Sequence, residues 1–170
     1  MLNEKIQAAL NDQIQAEFFS AYLYLSMASW CEDNNFEGFG NWMRMQAQEE
    51  MFHAMKIYDY VNMTGGRVRL QAVDQPETDW DDPVAAFEAA LAHERHMTGN
   101  INNLVGLCMK ENDFAAQTML QWFVSEQVEE EATVDAIVGK LKLMGGAGPG
   151  LFMLDQELGS RPAPTPPAAE

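Results

Sequence analysis

Basic side chains are scarce in this sequence: 10 Lys and Arg face 26 Asp and Glu, which leaves a formal charge of −16. Such an excess excludes nucleic acid as a partner, because the cations that would neutralise phosphates are missing. Cysteine is scarcer still. Cys31 and Cys108 stand far apart with no CxxC or Cys/His spacing, which excludes a disulfide framework and a thiolate metal site and leaves two reduced, buried small hydrophobes. No apolar run approaches the roughly 18 to 20 residues of a membrane span, and MLNEKIQAAL carries polar residues where a signal peptide has its apolar centre. A cytoplasmic protein without a membrane partner is expected. Strand signals are also few.

What is present is core material, 47 % apolar and 10 % aromatic, enough for one domain at about 150 residues per domain. Ala, Leu, Met, Gln and Glu recur with helical rather than alternating period. This predicts four helices of similar length, over about Asn3 to Asp33, Glu37 to Thr64, Asp82 to Glu111 and Asp113 to Met144. Gly65 and Gly66 stop the second, the Asp82-Pro83 pair opens the third, and Gly145 and Gly146 stop the fourth. Asn34 to Phe36 and the single Asn112 allow only antiparallel neighbours. Residues 66–81 can instead cross the bundle, since about 16 extended residues reach roughly 50 Å and a helix of about 27 residues is roughly 40 Å long. GGAGPG then forms a hinge, and LFMLDQEL, opened by Pro149, makes a short fifth helix. The fold class is therefore all-α: a four-helix bundle with a long crossover between helices two and three, spanning residues 1–158. Residues 159–170 are a Pro- and Ala-rich tail expected to extend into solvent.

Walking each helix in steps of three and four exposes a conflict. The inward stripes read Leu10, Ile14, Glu17, Ala21, Tyr24, then Phe39, Met43, Gln46, Glu50, His53, Ile57, then Phe87, Leu91, Glu94, Thr98, Ile101, and then Leu120, Phe123, Gln127, Glu130, Val134. Each apolar stripe is interrupted near its middle by a glutamate. A single such residue is usually a side chain that reaches out to solvent. Four at one level are a different matter, because one uncompensated buried carboxylate costs several kcal/mol against a net stability of about 5 to 15 kcal/mol. The cluster needs cations. Four carboxylates and one imidazole without thiolate favour iron or manganese over structural zinc. Bundle-core di-iron sites take one Glu from each of two helices and Glu-x-x-His from each of the other two. Here Glu50-x-x-His53 is matched on the fourth helix by Gln127-x-x-Glu130. A tighter site of Glu17, Glu50 and His53 and a weaker one of Glu50, Glu94 and Glu130 follow, with Glu50 bridging.

The segments EFFSAYLYLSMASWCEDNNFEGFGNW, QAQEEMFHAM and LQWFVSEQVEEE, in this order and separation, resemble the bacterial non-haem ferritins over about residues 1 to 158. The resemblance implies a cytoplasmic shell of 24 subunits that binds Fe(II), oxidises it with O2 or H2O2 at a di-iron ferroxidase centre and stores the ferric mineral inside. It implies Glu17, Glu50 and His53 on one iron, Glu50, Glu94 and Glu130 on the other, and Gln127 and Tyr24 beside them. A third iron position would draw on Glu49, Glu126, Glu129 and Glu130. It also raises haem, since bacterioferritins hold it through a methionine at the position of Met51, but the second Glu-x-x-His that marks them is missing here. Animal ferritins line an iron channel with acidic residues near the start of the fourth helix, whereas Phe114 to Leu120 contains none.

Two further readings compete with a ferroxidase store. A binding-only cation store would not need so complete a ligand set, and a di-iron oxygenase or peroxidase would need a larger apolar pocket or a rubredoxin-like CxxC pair. His93 and His96 lie off the inward stripe and read as surface histidines. Phe18, Tyr22, Trp30 and Trp42 lie off the stripes too and are candidates for a subunit interface.

Overall fold

The computed structural model describes residues 2–145 and 148–167. Five helices follow in order: α1 (Glu4–Asp33), α2 (Glu37–Met63), α3 (Pro83–Glu111), α4 (Phe114–Leu143) and α5 (Pro149–Gly159). There is no strand among the described residues. Side chains cap the starts of three long helices. Asn3 accepts from the Lys5 amide at 2.8 Å, Asp82 from Ala85 at 2.8 Å, and Asp113 from Ala116 at 3.0 Å. The chain leaves α1, α2 and α3 by one kind of turn, in which a left-handed residue lets a later amide reach back to the last helical turn. Asn35 (φ 64°), Gly65 (φ 75°) and Asn112 (φ 56°) are those residues, and Phe36 N–H to Cys31 O (2.8 Å), Gly66 N–H to Val61 O (2.9 Å) and Asp113 N–H to Cys108 O (2.9 Å) are the bonds. Gly145 also takes positive φ at the end of α4, while Gly146 and Ala147 of the expected stop and hinge lie outside the described residues.

The segment between α2 and α3 is a crossover, and its hydrogen bonds give its direction. Gln7 accepts from the Arg67 amide, Asn11 accepts from Arg69, Gln71 donates to Asp12, Gln15 donates to Ala72 O, Ser26 donates to Glu77 O, and Trp30 meets Trp80 edge to face. Partners rise together on both sides. The segment therefore runs alongside α1 from its first turns to its last, so α3 begins beside the end of α1 and runs parallel to α2. Loop and helix satisfy each other's polar groups along that length.

Helix α5 packs on the start of α2. Phe36 provides no side-chain cap there, and the Asp155 carboxylate of α5 instead accepts from the Phe39 amide at 2.9 Å. The approach is so close that a Cβ on Gly38 would stand 1.7 Å from the Asp155 carbonyl oxygen. Only glycine fits.

The core is divided in two. One apolar cluster holds Met27, Phe39, Met43, Phe87, Val134 and Leu154; the other holds Leu10, Ile14, Ile57, Ile101, Leu120 and Phe123. Between them lies a polar layer. Trp42 belongs to the first cluster and is 3 % exposed, which removes it from the expected interface residues, whereas Tyr22 is 51 % exposed. The stripe reading misplaced Trp42 because α1, α3 and the tail together enclose more of α2 than a narrow stripe. Among the described residues, no helix is long and apolar enough to cross a membrane.

Candidate metal centre

The polar layer is made by the residues that interrupt the stripes. Glu17 of α1, Glu50 and His53 of α2, Glu94 of α3 and Gln127 and Glu130 of α4 are all buried, none more than 6 % exposed. Helical geometry puts Glu50 and His53 one turn apart on one face, with the His53 Nδ1 3.5 Å from a Glu50 oxygen. The rings of Trp122 and Phe123 pack edge-on against the imidazole. Among the described residues, three sets offer ligand atoms within 4.8 Å of one another: Glu17, Glu50 and His53; Glu50, Glu94 and Glu130; and His53, Glu126 and Glu130. The first two bring together the same residues as the two sites expected from the sequence, and Glu50 is common to both.

Amide and phenol donors hold the carboxylates in place. Gln13 donates to Glu17 at 2.8 Å, and Tyr24 donates its phenol proton to Glu94. Gln127 donates to the other Glu94 oxygen and to the Glu94 carbonyl, each at 3.2 Å. Gln46 is fully buried and uses one NH2 group twice, on Glu50 at 3.0 Å and on Glu130 at 2.7 Å. Sequence reasoning placed Gln46 on the inward stripe without giving it a task. An amide four residues before a buried glutamate was the available signal, and Gln13 before Glu17 repeats it.

The protonation pattern follows from burial. Burial, and then the Glu50 charge, push Glu17 and Glu130 well above the ordinary carboxyl value and Glu94 up to about 8. Burial would raise Glu50 as well, but the neighbouring His53 outweighs it and holds that carboxyl low. Burial would lower His53, but Glu50, with Glu17 and Glu130 behind it, pushes it up to about 10. Burial and the Glu94 charge raise the Tyr24 phenol well above its ordinary value. The metal-free layer is thus one Glu50–His53 ion pair surrounded by protonated acids. Cations can replace those protons at little reorganisation cost, because the ligand atoms already converge.

The expected third position is only partly assembled. Glu126 and Glu130 converge with His53, but Glu129 is exposed and Glu49 is bonded elsewhere, to Arg161 at 2.5 Å. Residues beyond 158 are therefore not wholly solvated. The tail is pinned at Arg161, while Ala168 to Glu170 lie outside the described residues. His93 corrects the surface reading. It is half-buried, its Nε2 lies 2.7 Å from Ser20 Oγ, and Phe19 and Tyr24 flank its ring, because α1 packs over that side of α3. His96 is exposed as expected.

Comparison with known proteins finds relatives along most of the chain. The Ferritin-like domain matches residues 7–144. A bacterial non-heme ferritin of Bacteroides fragilis is 45 % identical over 161 residues, covering 95 % of this chain and 100 % of the relative. One from Campylobacter jejuni is 43 % identical over 156 residues, covering 92 % of this chain and 93 % of its own length. Among solved structures, an open pore ferritin from Archaeoglobus fulgidus superposes with a TM-score of 0.94 at 52 % identity, covering 95 % of this chain and 99 % of that one.

Proposed function

Because the chain belongs to the ferritin-like domain family, we propose that its buried layer is a ferroxidase centre that takes Fe(II) as substrate and that the protein stores the ferric product. Glu17, Glu50 and His53 hold one iron, Glu50, Glu94 and Glu130 hold the other, and a third position lies on the Glu126 side. Each Fe(II) gives one electron. Two together reduce O2 to H2O2 with two protons, or reduce H2O2 to water with two protons. The single observation that carries the reading is the convergence of one carboxylate from every long helix, with one imidazole, between two apolar halves of the core.

The chain's own residues do three things. Glu50 bridges, so both ions share one negative group and sit near each other. Gln46, Gln127 and Tyr24 direct hydrogen bonds at the carboxylate oxygens, fixing which lone pairs face the ions. The apolar clusters above and below keep the level dry, so that the carboxylate–cation attraction is not screened by water. His53 must lose its extra proton to ligate, and Glu17, Glu94 and Glu130 must lose theirs, so loading releases protons. The product is stored in a homo-oligomeric shell, with 24 subunits as the form drawn from the family resemblance, in the cytoplasm. The −16 charge supports attraction of Fe(II) to such a shell.

Aerobic addition of Fe(II) to the metal-free protein should give rapid ferric absorbance, with O2 and H2O2 supplied in separate runs. Glu50→Ala and His53→Ala should each abolish the fast phase. Variants that oxidise iron as fast as the parent would reject the assigned centre, and a binding-only store would show uptake without fast oxidation in the parent itself.

A further inference from the structure

Among the described residues of the tail, Arg161 bonds to Gln46, the amide that holds two carboxylates of the metal layer. Arg161 lies two residues after α5 and comes back over α2, where its guanidinium stacks on Trp42 with 4.6 Å to the ring centroid. Its Nη1 donates to Gln46 Oε1 at 2.9 Å and to Trp42 O at 3.3 Å, and its Nη2 donates to Glu49 Oε2 at 2.5 Å. Asn41 secures the backbone, donating to the carbonyls of Gly159 and Arg161 at 3.2 Å each. Arg161 and Glu49 are both about three-quarters buried, with side chains 22 % and 25 % exposed. This is a built contact, unlike the exposed ion pairs elsewhere on the surface.

Two consequences meet at this one group. The guanidinium can only donate, so it fixes the Gln46 amide with oxygen outward and NH2 inward, the orientation in which that NH2 reaches both Glu50 and Glu130. The same guanidinium occupies Glu49, which with the exposed Glu129 is one of two carboxylates missing from the third metal position. Glu126 and Glu130 already converge with His53, and Glu49 stands in none of the three ligand sets.

We propose that Arg161 is an internal cation that competes with a third metal ion for Glu49, so that docking of the C-terminal tail and filling of the third position exclude each other. The proposal rests on the di-iron reading above and deepens it. Arg161 touches no iron. It is a positioning residue acting through Gln46 and Glu49. A divalent ion that recruits Glu49 must displace one positive charge with another, and linkage requires the reverse as well: whatever pins the tail weakens the third ion by the same factor.

The test uses the full-length assembled protein, freed of metal and titrated with Zn(II), which binds without redox chemistry. In the parent, calorimetry should show two tight equivalents per subunit and a weaker third. Arg161→Ala should tighten the third equivalent by about tenfold relative to the first two. Arg161→Lys, which keeps the charge, should stay near the parent. Adding Glu49→Gln to Arg161→Ala should abolish the gain. A nitroxide on Thr165→Cys reads the tail directly, since Cys31 and Cys108 are buried, and its spectrum should sharpen at the third equivalent and not before. An unchanged third equivalent in Arg161→Ala, or a label whose motion ignores the third ion, overturns the competition while the di-metal reading stands. Loss of the first two equivalents from the parent titration would overturn the di-metal reading, and this one with it.

Discussion

Single side chains in the polar layer act as a proton store, and this sets a sign for stability against pH. A group that binds its proton more tightly in the folded protein than in the unfolded chain supports the fold at low pH and withdraws that support as pH rises through its folded value. Glu94, at about 8 against an ordinary 4.5, withdraws it between those values, and His53, at about 10 against 6.5, withdraws it across the next interval. Glu50 runs the other way, but its lowered carboxyl has already ionised in this range. The metal-free protein should therefore melt at a lower temperature at about pH 9 than at about pH 6, whereas Zn(II)-loaded protein should lose that slope or reverse it. Calorimetric scans of both forms decide it, and a metal-free protein equally stable at the two pH values would refute the buried-acid description. At this scale the sequence was informative for residues that break a pattern: Glu17, Glu50, Glu94 and Glu130 stood out as charges on apolar stripes. It was silent for Arg161, because no local rule connects a residue in a proline-rich tail to a helix more than a hundred positions earlier.

Helices are the scale at which local chemistry spoke most clearly. The Asp82-Pro83 start, the Gly65 stop and the asparagines at positive φ are backbone requirements carried by the residue itself, so element boundaries could be read to within about a residue. The stripe rule failed where three elements enclose one helix, as at Trp42, and where a neighbouring helix covers a flank, as at His93. The α5 contact belongs to this scale too. Gly38→Ala pushes a methyl group into the Asp155 backbone, so it should destabilise the protein by about 1 to 3 kcal/mol, in the range of other overpacked sites, and should detach α5 before the bundle melts. Thermal unfolding and hydrogen exchange of α5 amides would register both effects. A variant as stable as the parent, with α5 equally protected, would mean that α5 does not dock as described.

Taken as a molecule, the chain leaves large apolar side chains exposed despite its high charge. Tyr22 and Leu25 on α1 are about half exposed, and Met63, Phe114, Leu143, Phe152 and Met153 more so. Surfaces of this kind are commonly covered by other subunits. Leu25→Glu places a charge on one of them and should lower the assembly size seen by sedimentation, while the intra-bundle ligands, all on inward faces, keep the fast oxidation phase. An unaltered sedimentation coefficient would remove Leu25 from the interface. Assembly was the least legible property in the sequence, because an apolar residue off the stripe looks the same whether it faces a partner or a neighbouring helix.

The crossover also divides the ligands. Each antiparallel hairpin, α1 with α2 and α3 with α4, can form from contacts close in sequence, yet the first carries only Glu17, Glu50 and His53 and the second only Glu94, Gln127 and Glu130. The first half holds the whole ligand set of one site, but the other site needs its Glu50 beside Glu94 and Glu130 of the second half. Their docking is the step that forces like charges together, so its rate depends on whatever neutralises them, and protons or divalent ions act as glue between two preformed halves. The last stage of folding is then the step that builds the empty chelate, with protons holding the place that metal ions take afterwards.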